Sequence, residues 1–412
     1  MALIKPFVCI RPCQEKAAHI AALPYDVYNR REAAEEVARE PESFLRIDRA
    51  ETQFDDSVDM YAPEVYQKAH DLLWEMIERG EFVTEDKPCY YIYELTRDGR
   101  AQTGIVACAS IDDYENGIIK KHENTLAGKE EDRIRHVDAC DAQTGPIFLA
   151  YRENARISEV VNREKESAPV YDFVAPDGVK HRVWVIRDER DIGTIRDAFA
   201  GIGDIYIADG HHRAASAVKV GLMRREEHPD YDGSEEFNYF LSVLFPDEQL
   251  RILDYNRVVK DLNGMTPDEF LEKLSEVFLV TPLAGEEKKP SEKGEFTVYL
   301  DGTWYLCRIR PEDRNEDPVR GLDVSLLQDL FLAPVLGITD PKSDPRIDFV
   351  GGIRGTDELE RRCQTDAAAA FAMYPTSIQE LFAVADAGCL MPPKSTWFEP
   401  KPRSGLFIHA IL

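Results

Sequence analysis

The sequence predicts an α/β (α+β) protein with two packed units. Short apolar segments typical of strands alternate with amphipathic segments typical of helices along nearly the whole chain. Asp98-Gly99 and Asp301-Gly302 each separate two strand-like segments, which is the pattern of a tight hairpin. Since 412 residues exceed one small core, we expect a first unit over residues 1–245 and an α+β C-terminal unit over residues 246–412.

The first unit mixes both kinds of segment. Apolar residues recur at helical spacing from Pro63 to Arg79, and Gly80 ends the pattern. Further helices are predicted over residues 30–39, 129–141, 192–199 and 211–222. Strands are predicted over residues 7–11, 89–96, 103–111, 146–151, 183–186, 204–208 and 240–245.

The second unit repeats this alternation. Thr266 and Pro267 mark a helix start, because Thr caps a helix and Pro fits its first position. Further helices are predicted over residues 324–336, 357–364 and 377–387, and strands over residues 251–259, 296–300 and 303–308.

The net charge limits the partners. Asp and Glu number 77 against 50 Lys and Arg, which gives a formal charge of −27. Most of such a surface repels a phosphate backbone, so nucleic acid is a poor partner. A small anion still binds wherever a local positive field opposes the net charge. We therefore expect a small phosphorylated metabolite or a nucleotide as the partner.

The sequence also favours a soluble, cytoplasmic protein. The longest apolar run, residues 367–373, is far shorter than the ~18 residues of a membrane span. Pro6 and Arg11 interrupt the stretch where a secretory signal would have its apolar core. The eight cysteines are scattered without zinc-like spacing and are interpreted as reduced thiols. No membrane contact is expected, and a homodimer is left open.

The main candidate for an active centre is the segment Asp209-Gly210-His211-His212-Arg213. Residues 205–208 predict a strand, the next two residues a turn, and the rest the start of a helix. The first turn of a helix presents unpaired N–H groups and the positive end of the helix dipole. This arrangement attracts anions.

Each side chain of this segment has an expected role. Gly210 lets the backbone approach a ligand, and the Arg213 guanidinium matches phosphate oxygens. His212 would bond a phosphate or donate a proton, and Asp209 would cap the helix or hold Mg²⁺. A purely structural interpretation also fits, in which Asp209 only caps and Arg213 pairs with a nearby Glu, because short motifs often match by chance.

Two other segments carry candidate residues. Residues 120–125 and 128–133 form a charged cluster in which Glu123 would be a general base beside a substrate hydroxyl. Spacing alone instead favours a solvated loop and helix there. Prolines stiffen residues 391–402. Lys394, Ser395 and Thr396 of this segment would contact an anion. In the alternative interpretation the segment only closes the fold.

Together these stretches resemble the domain-of-unknown-function 1015 family (DUF1015) of bacterial and archaeal cytosolic proteins. The resemblance covers essentially the whole chain. It is carried by Leu23-Pro24-Tyr25-Asp26-Val27, Pro41 to Leu45, His122 to Thr125, Asp132-Arg133, Ala208 to Arg213, Tyr255 to Val259 and Met391 to Leu406. Leu23 departs from the pattern, in which a Pro is expected before Pro24.

Residues 207–213 are distantly similar to the phosphate-binding motif of the ParB/sulfiredoxin superfamily, and closest to its free serine kinases. That resemblance implies a mixed-sheet ParB/sulfiredoxin-like core with an additional α+β C-terminal half, and ATP or ADP with Mg²⁺ as cofactors. His211 occupies the position of sulfiredoxin's reactive Cys, which disfavours redox repair. The net charge disfavours a DNA clamp.

The resemblance also implies roles for individual residues. Glu123, His212 and Asp209 would be catalytic, with Asp209 at the metal. Phosphate binding would fall to Gly210, His211, His212, Arg213, Lys394, Ser395 and Thr396, and substrate binding to His122, Thr125 and Arg133.

These roles lead to a hypothesis about function. The leading one is a kinase-like, nucleotide-dependent phosphotransferase acting on a small hydroxylated metabolite such as free serine. The resemblance also implies genes that often lie near those of serine biosynthesis, an association that agrees with such a substrate. The alternatives are a non-catalytic nucleotide or metabolite sensor and a phosphoserine-type phosphatase.

Overall fold

A computed structural model describes residues 1–285 and 287–411 of the chain. The contacts divide it into two compact units. The first unit comprises residues 1–250 together with residues 400–412, and the second comprises residues 251–399. The boundary proposed from the sequence lies near the first of these limits. The sequence pattern gives no sign that the last residues of the chain lie in the first unit, because that depends on long-range contacts.

The first unit is built on a nine-stranded mixed sheet. Antiparallel pairs make up most of it, and two pairs are parallel, Ile119–Lys120 with Ile205–Asp209 and Ile147–Tyr151 with Tyr239–Pro246. In spatial order the sheet runs Ile119–Lys120, Ile205–Asp209, Ile147–Tyr151, Tyr239–Pro246, Arg100–Ser110, Tyr90–Arg97, Lys180–Ile186 and Tyr171–Val174, with Ile4–Lys5 beside Arg100–Ser110. This sheet confirms the predicted mixed α/β class.

Helices pack around this sheet. The main helices of the first unit are Arg30–Arg39, Pro63–Glu78, Ala127–Cys140, Ala155–Glu164, Glu189–Ala200 and His211–Glu227. Shorter helical segments are Ala17–Ile20, Tyr25–Val27, Leu45–Asp48, Ala50–Gln53, Ile111–Glu115, Glu236–Asn238 and Asp247–Gln249. Short strand pairs, Ile10–Pro12 with Phe82–Thr84 and Ala142–Gln143 with His409–Ala410, complete the unit.

The second unit contains a six-stranded antiparallel sheet. Its spatial order is Leu279–Pro282, Thr303–Arg308, Glu295–Leu300, Ala369–Met373, Tyr255–Val259 and Ile347–Gly351. Ile252–Leu253 pairs with Trp397–Phe398. The helical segments of this unit are Pro267–Val277, Pro311–Asp313, Asp323–Leu327, Gln328–Leu332, Gly352–Arg354, Gly355–Thr365 and Ile378–Asp386.

The structure confirms the tight turns and the helix cap that the sequence predicts. Both hairpins turn at the predicted Asp-Gly pairs, and Asp98 and Asp301 take positive φ as tight turns of this kind require. Thr266 forms a capping box with Glu269, as its position before Pro267 suggests.

Two segments differ from the sequence-based expectation. The sequence predicts one helix over residues 324–336, but an α-helical turn passes into the π-helical turn Gln328–Leu332. The charged pattern over residues 129–141 predicts an exposed helix, yet Arg133 and His136 are buried in it. Packing against neighbouring elements, which periodicity does not encode, accounts for the second difference.

No helix among the described residues has both the length and the apolar character needed to cross a lipid bilayer.

Candidate anion-binding site

Three chain segments end or begin at one edge of the mixed sheet. The parallel strands Ile119–Lys120 and Ile205–Asp209 both run toward this edge, so the loops that follow them start side by side. The antiparallel strand Ile147–Tyr151 begins at the same edge. Residues 121–126, 143–146 and 209–213 are therefore neighbours, although up to 92 positions separate them in the sequence.

Gly210 forms the junction between the strand and the helix His211–Glu227. Its φ of 92° lies in the left-handed region, which glycine adopts without strain. Gly210 is the N-cap, and no side chain caps this helix end. A β-carbon at Gly210 would lie 2.9 Å from Nη2 of Arg213. The guanidinium thus folds back over the glycine, and a β-carbon at this position would have to displace it.

Asp209 is paired with two cations. Its Oδ2 lies 3.2 Å from Nη2 of Arg213, and its Oδ1 lies 3.4 Å from Nζ of Lys401. Burial opposes ionisation of Asp209, but Lys401 and Arg213 outweigh it and lower the pKa of the carboxyl to about 2. The alternative that Asp209 caps the helix is wrong, because its carboxylate is turned toward these cations.

Arg213 has a structural contact as well as an ionic one. Its Nη1 donates to the carbonyl oxygen of Pro146 at 2.7 Å, and its side chain is 12% exposed. Its Nε is enclosed and has no hydrogen-bond partner among residues 1–285 and 287–411. The suggestion that Arg213 pairs with a Glu is wrong in detail, since the partner is Asp209.

Two buried histidines pack beside the helix start. The rings of His122 and His211 meet edge to face, with centroids 4.5 Å apart. Burial lowers the pKa of His122 to about 4 and holds the pKa of His211 well below its usual value. Both rings are therefore neutral near pH 7. The predicted phosphate contact of His211 would have to come from its backbone amide.

His212 and Thr125 tie the loop before Ala127 to neighbouring helices. The backbone N–H of Leu126 donates to Nε2 of His212 at 2.9 Å, so this nitrogen is an acceptor. Thr125 donates from Oγ1 to Glu130 at 2.5 Å. Direct substrate contact by Thr125 stays a prediction.

Glu123 lies at the rim of the junction. Its Oε2 is 4.0 Å from Nδ1 of His211, and 43% of its side chain is exposed. The carboxylate that the sequence singled out as a base is thus beside the helix start, and it can reach solvent.

A cavity of about 160 Å³ lies in the same unit, next to a smaller one of about 30 Å³. Arg133, Tyr25, Asp48 and His136 line both cavities, and Arg213 lines the smaller one. The larger volume has room for a small metabolite, whereas the smaller one has room for little more than a water molecule.

Arg133 is held firmly in the cavity wall. Its Nη2 lies 2.8 Å from Oδ2 of Asp132, and its guanidinium lies 4.1 Å from the ring centre of Tyr25. Burial opposes its charge, but Asp132 and other acidic neighbours outweigh burial and raise its pKa. Lys129 also lines this cavity from an exposed position. Arg133 therefore lines a cavity in which it could contact a substrate, as the sequence predicts.

Residues 394–396 belong to the second unit. Nζ of Lys394 lies 5.7 Å from the ring centre of Tyr255. Ser395 is buried and donates to the carbonyl oxygen of Pro392 at 2.7 Å, which uses its hydroxyl locally. Phosphate binding by Lys394, Ser395 and Thr396 stays a prediction.

The described residues do not fit a protein-held metal ion. No group of three His, Cys, Asp or Glu side chains that could hold one occurs among residues 1–285 and 287–411. Asp209, the expected ligand, is already paired with two cations. Any Mg²⁺ at this place would depend on nucleotide phosphates and water for most of its ligands.

Sequence reasoning missed several residues of this region. Lys401 approaches Asp209 from the end of the chain, and Thr144 donates to Asp48 at 2.8 Å in the cavity wall. Ser404 lines the small cavity. The turn-like Gly145-Pro146 could have drawn attention to Thr144, but no local pattern indicates Lys401.

Solved structures with partial likeness include a C-terminally truncated SbnI from Staphylococcus aureus, at 14% identity and a TM-score of 0.38, covering 72% of this chain and 84% of that one. A free serine kinase variant in complex with AMP matches at 15% identity and a TM-score of 0.36, covering 73% and 90%. A conserved hypothetical protein from Pyrococcus furiosus matches at 15% identity and a TM-score of 0.35, covering 73% of this chain and 93% of that one.

No curated protein matches the sequence. The family described as a protein of unknown function, DUF1015, matches residues 4–325, more than three quarters of the chain. The chain belongs to the DUF1015 family.

Proposed function

We propose that the protein is a nucleotide-dependent phosphotransferase acting on a small hydroxylated metabolite such as free serine. The observation that supports it best is the position of Glu123, 4.0 Å from His211 at the start of the Gly210 helix. An accessible carboxylate beside an anion-attracting helix start is the arrangement that a hydroxyl acceptor and a phosphate donor both require.

The local charges support phosphate binding in an acidic protein. Arg213 and Lys401 bring two positive charges to one carboxylate, so the immediate surroundings of Asp209 carry a net positive charge. A nucleotide phosphate would compete with Asp209 for Arg213, whose donors suit phosphate oxygens. Mg²⁺ would arrive with the nucleotide, and the protein's own part is to position groups and balance charge.

The acceptor would use the neighbouring cavity. Its 160 Å³ suits a small metabolite, and its wall carries the guanidinium of Arg133. Glu123 would take the hydroxyl proton. We place the activity in the cytosol, in keeping with eight free cysteines. The absence of nucleic acid partners and the homodimer stay predictions.

The test combines binding with turnover. Calorimetry with ATP and ADP should detect binding, and assays with serine and related hydroxylated metabolites should detect phosphoryl transfer. Glu123→Gln should keep nucleotide affinity and lose turnover by roughly 10²–10⁴-fold. Glu131→Gln, at an exposed position paired with Arg135, is the matched control and should change neither.

Other results would contradict the proposal. Binding without transfer would indicate a sensor, and phosphate release from phosphoserine without nucleotide would indicate a phosphatase. If neither ATP nor ADP binds with Mg²⁺ present, the nucleotide assignment is wrong.

A further inference from the structure

Arg257 in the second unit is a buried cation without a carboxylate. Its residue is 3% exposed, and no ion pair links it to any described Asp or Glu. Within the described part of the chain it forms one hydrogen bond, from Nη1 to the carbonyl oxygen of Tyr255, two residues away. Burial lowers the pKa of Arg257 to about 10, so the guanidinium stays charged near pH 7.

Two acidic residues close to Arg257 in the sheet or in the sequence bind other partners. Arg257 pairs in the sheet with Phe349 and Phe371. Asp348 stands opposite Val258, hence on the other face, where it bonds Arg362 at 2.8 Å. Asp254 bonds Lys289 and Asn256. Both carboxylates are therefore occupied away from Arg257.

The surroundings of Arg257 are aromatic. Its guanidinium lies 5.4 Å from the ring centre of Phe349, and Tyr255 meets Phe349 and Trp397 at centroid distances of 6.2 and 5.2 Å. Lys394 adds a second cation 5.7 Å above the Tyr255 ring. We call these five residues, Arg257, Tyr255, Phe349, Lys394 and Trp397, the Arg257 patch.

The buried guanidinium destabilises the folded state unless an anion neutralises its charge. A buried charge without a partner is strongly disfavoured, whereas the same charge facing a ligand anion is stabilised. The Nε and Nη2 donors of Arg257 have no hydrogen-bond partner among the described residues, and neither is fully enclosed. These two donors form one edge of the guanidinium, which is the edge that binds the two oxygens of an oxyanion.

We propose that the Arg257 patch is a second anion-binding site, independent of the Gly210 junction. It would take a small molecule with a carboxylate or phosphate group, whose acid group binds the free edge of Arg257. The rings of Tyr255, Phe349 and Trp397 form its apolar wall. The stretch from Tyr255 to Val259 is one of the motifs that carry the family resemblance, but the proposed phosphotransfer gives those residues no role.

The test measures thermal unfolding of the full chain in sodium phosphate and in sodium acetate, against sodium chloride at equal ionic strength. A wild-type melting temperature raised by both anions indicates a site for either acid group, and one raised by a single anion identifies that group. Arg257→Met should weaken the anion's affinity about tenfold or more, measured by calorimetry. Arg354→Met, at a 66% exposed side chain, is the matched control and should respond like the wild type.

Two further variants keep the outcome clear. Arg257→Lys keeps the charge without the paired donors, so its response should be intermediate and measurable even if Arg257→Met does not fold. Arg213→Met should retain the part of the anion response that Arg257→Met removes, which separates this site from phosphate binding at the Gly210 junction. An equal response in wild type and both Arg257 variants, or no response in the wild type, would overturn the proposal.

Discussion

Two sets of charged residues, one in each unit, differ in whether their charges are paired. In the first unit Arg213 and Asp209 are half-buried and lie 3.2 Å apart, with Lys401 completing the group. In the second unit Arg257 and Asp323 are both buried, and neither forms an ion pair within the described residues. The pKa values differ accordingly, since the pKa of Asp209 is lowered to about 2 and that of Asp323 is raised to about 6.

Pairing decides whether each charge stabilises or destabilises the folded state. A paired buried charge stabilises the folded state as long as its partner remains, and removal of one partner is costly. An unpaired buried charge destabilises the fold and persists only where another role maintains it. Removing the charge of Arg213 should therefore lower the stability of the fold, whereas removing the charge of Asp323 should cost little or raise it.

Arg213→Met should give the largest effect on stability. The change leaves Asp209 with Lys401 alone and leaves the carbonyl oxygen of Pro146 without its donor, so unfolding free energy should fall by about 3 kcal/mol. Chemical denaturation measures this loss. The double variant with Asp209→Asn should recover part of it, because no unpaired carboxylate remains. A loss below about 0.5 kcal/mol, the range of exposed pairs, would contradict the comparison.

Asp323→Asn should have the opposite sign at neutral pH. Burial raises the pKa of Asp323 from 3.8 to about 6 despite the N–H of Gly294, which donates to Oδ2 at 2.9 Å. Because the folded-state pKa is the higher one, the wild type loses stability as pH rises from about 4 to 6. The variant should not, and near pH 7 it should be more stable by roughly 2–3 kcal/mol.

The pH series decides whether ionisation is the cause. Thermal unfolding of both proteins between pH 4 and pH 8 should show curves that separate as pH rises. Curves that stay parallel would mean that the amide introduced by Asp323→Asn acts through packing. Oδ1 of Asp323 and Oγ of Ser325 are enclosed and have no hydrogen-bond partner in the part of the chain that the structure describes, so this position suits such a measurement.

Local sequence signals were sufficient for most elements of the fold. The hairpin turns at Asp98 and Asp301, the cap at Thr266 and the strand–glycine–helix junction at Gly210 each depend on residues within a few positions of one another. Their conformations follow from φ preferences and capping hydrogen bonds, which the sequence displays directly.

Long-range pairings could not be predicted in the same way. Lys401 reaches Asp209 across 192 positions, and Glu123 approaches His211 only because the two preceding strands are parallel neighbours. That Arg257 has no acidic partner among the described residues depends in part on which face of the strand Asp348 occupies. Sequence periodicity gives the faces of a single strand but not the register between strands.

Gly210→Ala should have the smallest effect on stability, and it tests directly the contact of Arg213 over Gly210. The left-handed φ of 92° costs an alanine about 1 kcal/mol, and its β-carbon would also lie 2.9 Å from Nη2 of Arg213. Gly178→Ala is the matched control, because its φ is +80° and no atom lies within 4 Å of the added β-carbon. The difference in unfolding free energy between the two variants isolates the cost of the contact with Arg213, since only Gly210→Ala displaces the guanidinium from Asp209. Equal losses in the two variants would mean that Arg213 adjusts freely, and the contact over Gly210 would then add nothing to the ion pair.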